Sequence, residues 1–423
     1  MNEIRLFKIN KNENRIEYEF TCSEGITSFF SGRKFWIEYS ENIAGVPDSI
    51  AAIPFVCNVL PIIWLTDSNL VVTDLDKTFF ESIQDIKEGY RKMFPETEWG
   101  GEIFVSNVIP CEDIEGEKRS AMFYSGGVDS AYSLLMHYDE KPELLSIWGS
   151  DVQTDNIEGW SELCNVILET ANRFHLNNMF IKSSFRQFDN EKELDNRFSA
   201  QLHDGWWHGV KHGIALLGHV APIAYLHGLE KMYIASSNCV GDADVRCASH
   251  PSIDNNVRFV NCTVVHDGFQ YSRQQKLHHI VYAQGTEVRL PLHVCWESQT
   301  GGNCCHCEKC YRTIAGIIVE GGDPIKYGFE NYKTYLKDME SSVCQLRYAG
   351  AQKSHWTKIQ QRLLENEDAL KTTQDWKHIK WIKKKDFLHP KMKKSVNRIF
   401  RSWLSQYPFY QELHKWKKNN LQK

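Results

Sequence analysis

Residues 121–130 read Ala-Met-Phe-Tyr-Ser-Gly-Gly-Val-Asp-Ser. They commit the chain to a strand, a glycine turn and a helix in immediate succession. Met122, Phe123 and Tyr124 form an apolar run suited to a buried strand, which stops at Ser125-Gly126-Gly127. Residues 130–137 (SAYSLLMH) continue with helical spacing. Two glycines let backbone N–H groups approach an oxyanion with no Cβ in the way. The helix N-terminus adds partial positive charge, and Ser125 and Ser130 add hydroxyl donors. No lysine follows the glycines, which excludes the Gly-x-x-x-x-Gly-Lys-Ser/Thr phosphate loop. A βα turn without a ligand is the alternative reading of the same residues.

The chain around this turn alternates strand-like and helix-like segments, which predicts a parallel sheet with crossover helices. Candidate strands are 121–124, 144–148, 178–181 and 232–235, and candidate helices are 130–137, 160–174 and 213–227. The expected fold class is therefore α/β, a doubly wound parallel sheet. In such sheets ligands sit beyond the carboxyl ends of the strands. Gly149-Ser150-Asp151, Ser183-Ser184 and Ser236-Ser237-Asn238 each follow a candidate strand. The polar loop 238–254 (NCVGDADVRCASHPSID) is the candidate substrate lid, with Asn238, Asp242, Asp244, His250 and Asp254 as candidate substrate contacts. Any single carboxylate there is equally readable as a solvated charge or an Asx turn. Ser272-Arg273 opens the next helix, and by itself Arg273 reads as a surface cation.

Downstream, Cys295, Cys304, Cys307 and Cys310 form C-x8-C-x2-C-x2-C. Four thiolates at short spacing suit tetrahedral Zn²⁺, and a closed four-sulfur shell is structural rather than catalytic. Spacing alone does not separate zinc from an iron–sulfur cluster, and Cys305 and His306 are spare ligands beside it.

The Ser-Gly-Gly-x-Asp-Ser loop resembles the pyrophosphate loop (PP-loop) of the ATP pyrophosphatase superfamily. With the cysteine spacing, in this order, the chain resembles the 7-cyano-7-deazaguanine synthase family over roughly residues 118–320. The resemblance implies an adenine-nucleotide α-hydrolase-like fold and an ATP site at Tyr124, Ser125, Gly126, Gly127, Val128, Asp129, Ser130 and Gly149. It implies catalytic roles for Ser125, Asp129, Ser130 and Arg273, with Asp129 close to the phosphates and their Mg²⁺. It also implies adenylation of a carboxylate such as 7-carboxy-7-deazaguanine, then attack by ammonia. The match is incomplete. The family's Tyr-Pro-Asp-Cys-Arg segment is replaced by Ala248-Ser249-His250-Pro251, and its Thr-Lys by Ser272-Arg273. Divergent relatives with N-terminal extensions occur in anti-phage defence operons, where a partner-protein amine replaces ammonia. The architecture here is similar, so an acceptor protein is an expected partner.

Flanking segments complete the expected domain plan: a β-rich N-terminal piece (1–115), the catalytic domain with its zinc segment (116–330) and a helical basic extension (331–423). Alternation at residues 15–20 and 34–39 predicts N-terminal strands, and residues 50–65 predict a buried helix or strand pair interrupted by Pro54 and Pro61. Residues 79–94 are helix-like. From residue 371 onward, fifteen Lys or Arg stand against three acids, about +12, interleaved with Trp376, Trp381, Trp403 and Trp416. That tail reads either as a nucleic-acid grip or as helices with inward tryptophans. The latter fits the charge of about −17 left for the rest of a chain whose net charge is −5. The alternative function is accordingly a tRNA-modifying PP-loop enzyme or an RNA-binding protein. With a charged, strand-like start, no long uninterrupted apolar run and thirteen scattered cysteines, a reducing, cytoplasmic setting without membrane contact is expected.

Overall fold

The computed structural model describes residues 2–111, 119–241, 246–283, 290–295, 297–298, 302–345 and 351–388. Asp242, Asp244, Trp403 and Trp416 lie outside the described residues, as does the tail beyond residue 388.

Eleven strands form one sheet. They are β1 (Glu3–Lys11), β2 (Arg15–Cys22), β3 (Phe35–Tyr39), β4 (Asn69–Asp76), β5 (Glu102–Ile109), β6 (Arg119–Phe123), β7 (Glu143–Trp148), β8 (Asn178–Ser183), β9 (Leu229–Ala235), β10 (Arg258–Phe259) and β11 (Cys262–Asp267). Their order is β10-β11-β9-β6-β7-β8-β3-β2-β1-β4-β5. The stretch β11-β9-β6-β7-β8 is parallel throughout. The chain lays down β6, β7 and β8 in one direction, then jumps back past β6 to lay β9 and β11 in the other. This is the strand order of doubly wound sheets, and the reversal places a crevice beyond the carboxyl ends of β6 and β9. The central strands are apolar without alternation, as for β7, whose Leu144 and Leu145 are fully buried, because helices cover both faces of such a sheet.

The N-terminal piece is not a separate β-rich body. Its strands extend the same sheet, and Met1–Lys383 forms one compact unit. The join is β3, antiparallel to β8 with Ile37 opposite Ser183 and Tyr39 opposite Ile181. Alternation dictates the join. In β3, Phe35, Ile37 and Tyr39 all point into the core. There Phe35 stacks on Phe188 at 5.0 Å between centroids and lies tilted against Tyr18 at 4.9 Å. The piece is also half helical, with Ile53–Thr66 and Lys77–Met93. Residues Asp48–Thr66 make a 19-residue apolar stretch long enough to cross a bilayer, and it is buried inside the protein. Pro54 sits in the first turn of its helix, where no N–H partner is needed, and Pro61 is accommodated inside it.

The candidate strands and helices of residues 118–290 fall where the pattern put them, one of them divided in two, and the helix Glu191–Leu202 is an addition. The segment 213–227 is two helices, His212–Gly218 and Ala221–His227, broken at His219-Val220. The fifth parallel strand, β11, went unread because Cys262–Asp267 lies in a polar neighbourhood. The described part of the C-terminal extension is helical, including Ala351–Glu365. Trp381 packs on Trp356 at 6.1 Å.

Candidate functional site

Sequence places the glycine turn at the carboxyl end of β6, and β6 places it at the crevice. The helix Val128–His137 starts directly after it, and its N-cap residue, Gly127, offers no side-chain cap. The first helical N–H groups are thus open to an external acceptor. Gly126 holds φ +70°, and a Cβ there would press on His293 and Val166 at 3.1 Å. Its carbonyl accepts from the His293 N–H at 2.7 Å, which pins the turn to the segment leading into the cysteine cluster. Ser125 and Ser130 face each other with hydroxyl oxygens 3.5 Å apart. The Ser130 hydroxyl also donates to the Gly127 carbonyl at 3.2 Å. Tyr124 contributes backbone alone. Its side chain is buried, 3.4 Å from the Thr170 hydroxyl, and burial pushes its phenol up. Val128 is likewise a core side chain with a helix N-terminal amide.

Asp129 is buried and forms ion pairs with Arg273 and with Lys276, the latter at 3.3 Å. Burial raises its carboxyl pKa, but Arg273 and then Lys276 overcome this and hold it well below the usual carboxylate range. The Lys276 ammonium also donates to the Ser236 carbonyl, so one side chain ties the loop after β6 to the loop after β9. Lys276 lies one turn beyond Arg273 on the helix Arg273–Ala283. Sequence reading missed it. Its spacing of three from Arg273 on a helix was the available signal.

Two further cations come from the helix Glu308–Val319, which begins inside the cysteine cluster. Burial, then Arg273, push Arg312 down to about 10. Burial, then the same arginine, push Lys309 down as well, against the pull of Asp151 and Asp129. The Nε atoms of Arg273 and Arg312 are buried without a hydrogen-bond partner among the described residues. Buried donors without acceptors are uncommon, and here four cations and an uncapped helix end converge on one loop. The arrangement can hold a polyanion.

The four predicted cysteine sulfurs lie within 4.8 Å of one another. Cys295 and Cys307 are 3.9 Å apart, as are Cys304 and Cys310. Backbone N–H groups of Ser298, Cys307 and Cys310 donate to the sulfurs of Cys295, Cys304 and Cys307 at 3.3, 3.3 and 3.4 Å. Such donors stabilise thiolates, so the set fits a metal ion such as zinc. Cys305 turns away at φ +61°, its thiol donating to the Asn303 carbonyl, and His306 packs on Tyr335. Neither spare ligand joins the cluster.

The remaining predicted contacts divide. Gly149 is glycine for a local reason: at φ +110° a Cβ would meet the Ser183 carbonyl at 2.0 Å. The rim beside it is aromatic, with Trp148 and Trp160 stacked at 5.4 Å and Lys182 over Trp148 at 3.9 Å. Asn238 sits half-buried after β9, its carbonyl accepting from Ser236 Oγ at 2.7 Å. Asp254 is fully buried, bonded to Ser249 at 2.9 Å and His266 at 2.8 Å. His250 caps the short helix Pro251–Asp254, accepting from the Ser252 N–H at 3.1 Å. The hydrogen bonds of these two side chains are to Ser249, Ser252 and His266 rather than to the loop at Ser125.

Against known proteins, no family model, curated protein or solved structure matches the chain.

Proposed function

We propose that the chain is a PP-loop enzyme that splits ATP into AMP and pyrophosphate while adenylating a carboxylate, as its resemblance to 7-cyano-7-deazaguanine synthase implies. One observation carries the reading. The Ser125–Ser130 turn opens at the crevice of a doubly wound sheet, with its Asp129 ion-paired to Arg273 and Lys276 and within electrostatic reach of Lys309 and Arg312. A carboxylate is a poor electrophile, and AMP makes it a good one. The protein's task is to orient the two and to stabilise charge developing on the departing pyrophosphate. The uncapped amides and the four cations suit that task. Asp129 stays ionised across the physiological range. It orients Arg273 and Lys276, and would lie next to the Mg²⁺ that such chemistry uses. The aromatic rim after β7 suits an adenine ring.

The favoured acceptor of AMP is a 7-carboxy-7-deazaguanine-type carboxylate, and the activated acyl group passes to ammonia or to a partner protein's amine in a defence role. The test is mass spectrometry of products from purified protein, ATP, Mg²⁺ and 7-carboxy-7-deazaguanine, with and without ammonium. AMP with an amide or nitrile base is expected, and Asp129→Ala should abolish both. No AMP would refute adenylation. AMP formed without change in the base would move tRNA or a protein carboxylate forward as substrate.

A further inference from the structure

The helix Ala351–Glu365 belongs to the C-terminal extension, outside the 118–320 region of resemblance. It is anchored beside the loop. The Trp356 indole donates to Glu308 at 2.9 Å, Arg362 donates to Glu320 at 2.9 Å, and Asn366 just beyond donates to the Val319 carbonyl at 2.8 Å. The anchor sets His355, next to Trp356, beside the start of the helix that carries Lys309 and Arg312.

His355 is 8% exposed, and Arg273, Arg312, Asp129 and Lys276 act on its ring electrostatically. Its imidazole has no hydrogen-bond partner among the described residues. Its ring nitrogens are not among the fully enclosed, unpartnered atoms, so they remain open to a bound group. The elements packed around it supply donors far more than acceptors: Arg273 and Lys276 from one helix, Lys309 and Arg312 from another. Their opposing carboxylates are Asp129, engaged by two cations, Glu308, engaged through Oε1 by Trp356 and Arg312 with Oε2 buried and unpartnered among the described residues, and Asp151, which acts on Lys309. Burial, then Arg273 and Arg312, hold the imidazole well below its ordinary range, so the ring is neutral. A neutral ring offers one N–H without adding a fifth positive charge.

Resting on the ATP-splitting reading, we propose that His355 is an anion-binding residue of this site, donating an N–H to a phosphate oxygen of the pyrophosphate moiety. The C-terminal extension thereby completes the pocket that the glycine turn begins.

The experiment is calorimetric titration of inorganic pyrophosphate, with Mg²⁺, into the full chain and into Arg273→Ala, His355→Ala and His355→Gln. Wild type should bind, and Arg273→Ala should lose most of the affinity. His355→Ala should bind about tenfold more weakly, as loss of one hydrogen bond to a charged oxygen requires. His355→Gln, which keeps a neutral N–H donor, should stay within about threefold of wild type. If His355→Ala loses its cooperative melt, His355→Phe, which fills the space without a donor, takes its place against His355→Gln. Binding by the donor-free variant equal to wild type, with Arg273→Ala still defective, overturns the role of His355 alone. No binding by wild type, or none of it sensitive to Arg273, overturns the phosphate-site reading and the inference with it.

Discussion

Replacing Lys276 by Met tests the site where reading and structure differ most. Methionine keeps the length and apolar stem of a side chain that is 1% exposed, and removes only the ammonium. Two interactions disappear: the 3.3 Å contact to Asp129 Oδ1 and the hydrogen bond to the Ser236 carbonyl. The orphaned carbonyl costs about 1–3 kcal/mol of stability. Removing one of four crowded cations offsets part of that, so the melt should fall by no more than roughly 2–8 °C. Asp129 keeps Arg273 and stays ionised. Function should suffer more. A charged hydrogen bond to developing phosphate charge is worth about 1.5–3 kcal/mol, which is roughly 10- to 150-fold in kcat/KM. The assay is continuous pyrophosphate release against ATP concentration, alongside a thermal melt. A folded Lys276→Met protein releasing pyrophosphate at the wild-type rate would refute the assignment of this lysine to the phosphate site.

Metal analysis of purified protein should find about one zinc per chain, and Cys307→Ser should lose metal and melt earlier, since a structural site contributes folding free energy; retained metal would exclude Cys307 as a ligand. His227 bridges Glu143 at 2.6 Å and Glu41 at 2.9 Å, and those carboxylates raise it to about 9. A raised histidine gives stability that is complete below its unfolded pKa of about 6.5 and is lost as pH climbs through about 9. After discounting for partial exposure, His227→Gln should destabilise by about 1–2 kcal/mol at pH 6 and by little at pH 10, followed by thermal melts; a pH-independent loss would contradict the pairing.

Local features were readable and distant pairings were not. The glycine turn, the helix after it and the four cysteines are contiguous signals, and each landed where its spacing put it. Arg273 was readable as a cation at a helix start, but its partner Asp129 lies 144 residues away and no periodicity reports that. Lys276, Lys309, Arg312 and His355 escaped for the same reason: each is an ordinary polar residue on an amphipathic helix until tertiary packing turns it inward. Asp254 and His250 drew attention as loop polar groups. Their commitments to His266 and Ser252 needed the fold to be seen. The N-terminal strands were readable individually, and their register against β8 was not, because alternation sets which face is buried and leaves the partner open.

That pairing makes a prediction about where the chain can be cut. A protein starting at residue 116 would follow the expected domain boundary, yet it would strip β3 from β8 and leave the β8 edge without its hydrogen-bonded neighbour. It would also uncover Phe188 and Phe185, now fully buried, and remove the Tyr39 hydroxyl from the His219 carbonyl at 3.1 Å. A long exposed edge beside bared aromatics is an aggregation template. The damage would reach the crevice, because the same β8 end supplies the Ser183 carbonyl against which Gly149 is fitted, and Ser183 is bonded to His219 at 2.9 Å. The truncated chain should therefore aggregate on expression, and co-expressing residues 1–115 as a separate chain should restore a soluble complex. A soluble, monomeric 116–423 protein that released pyrophosphate at the full-length rate would mean that the N-terminal strands brace nothing the site needs.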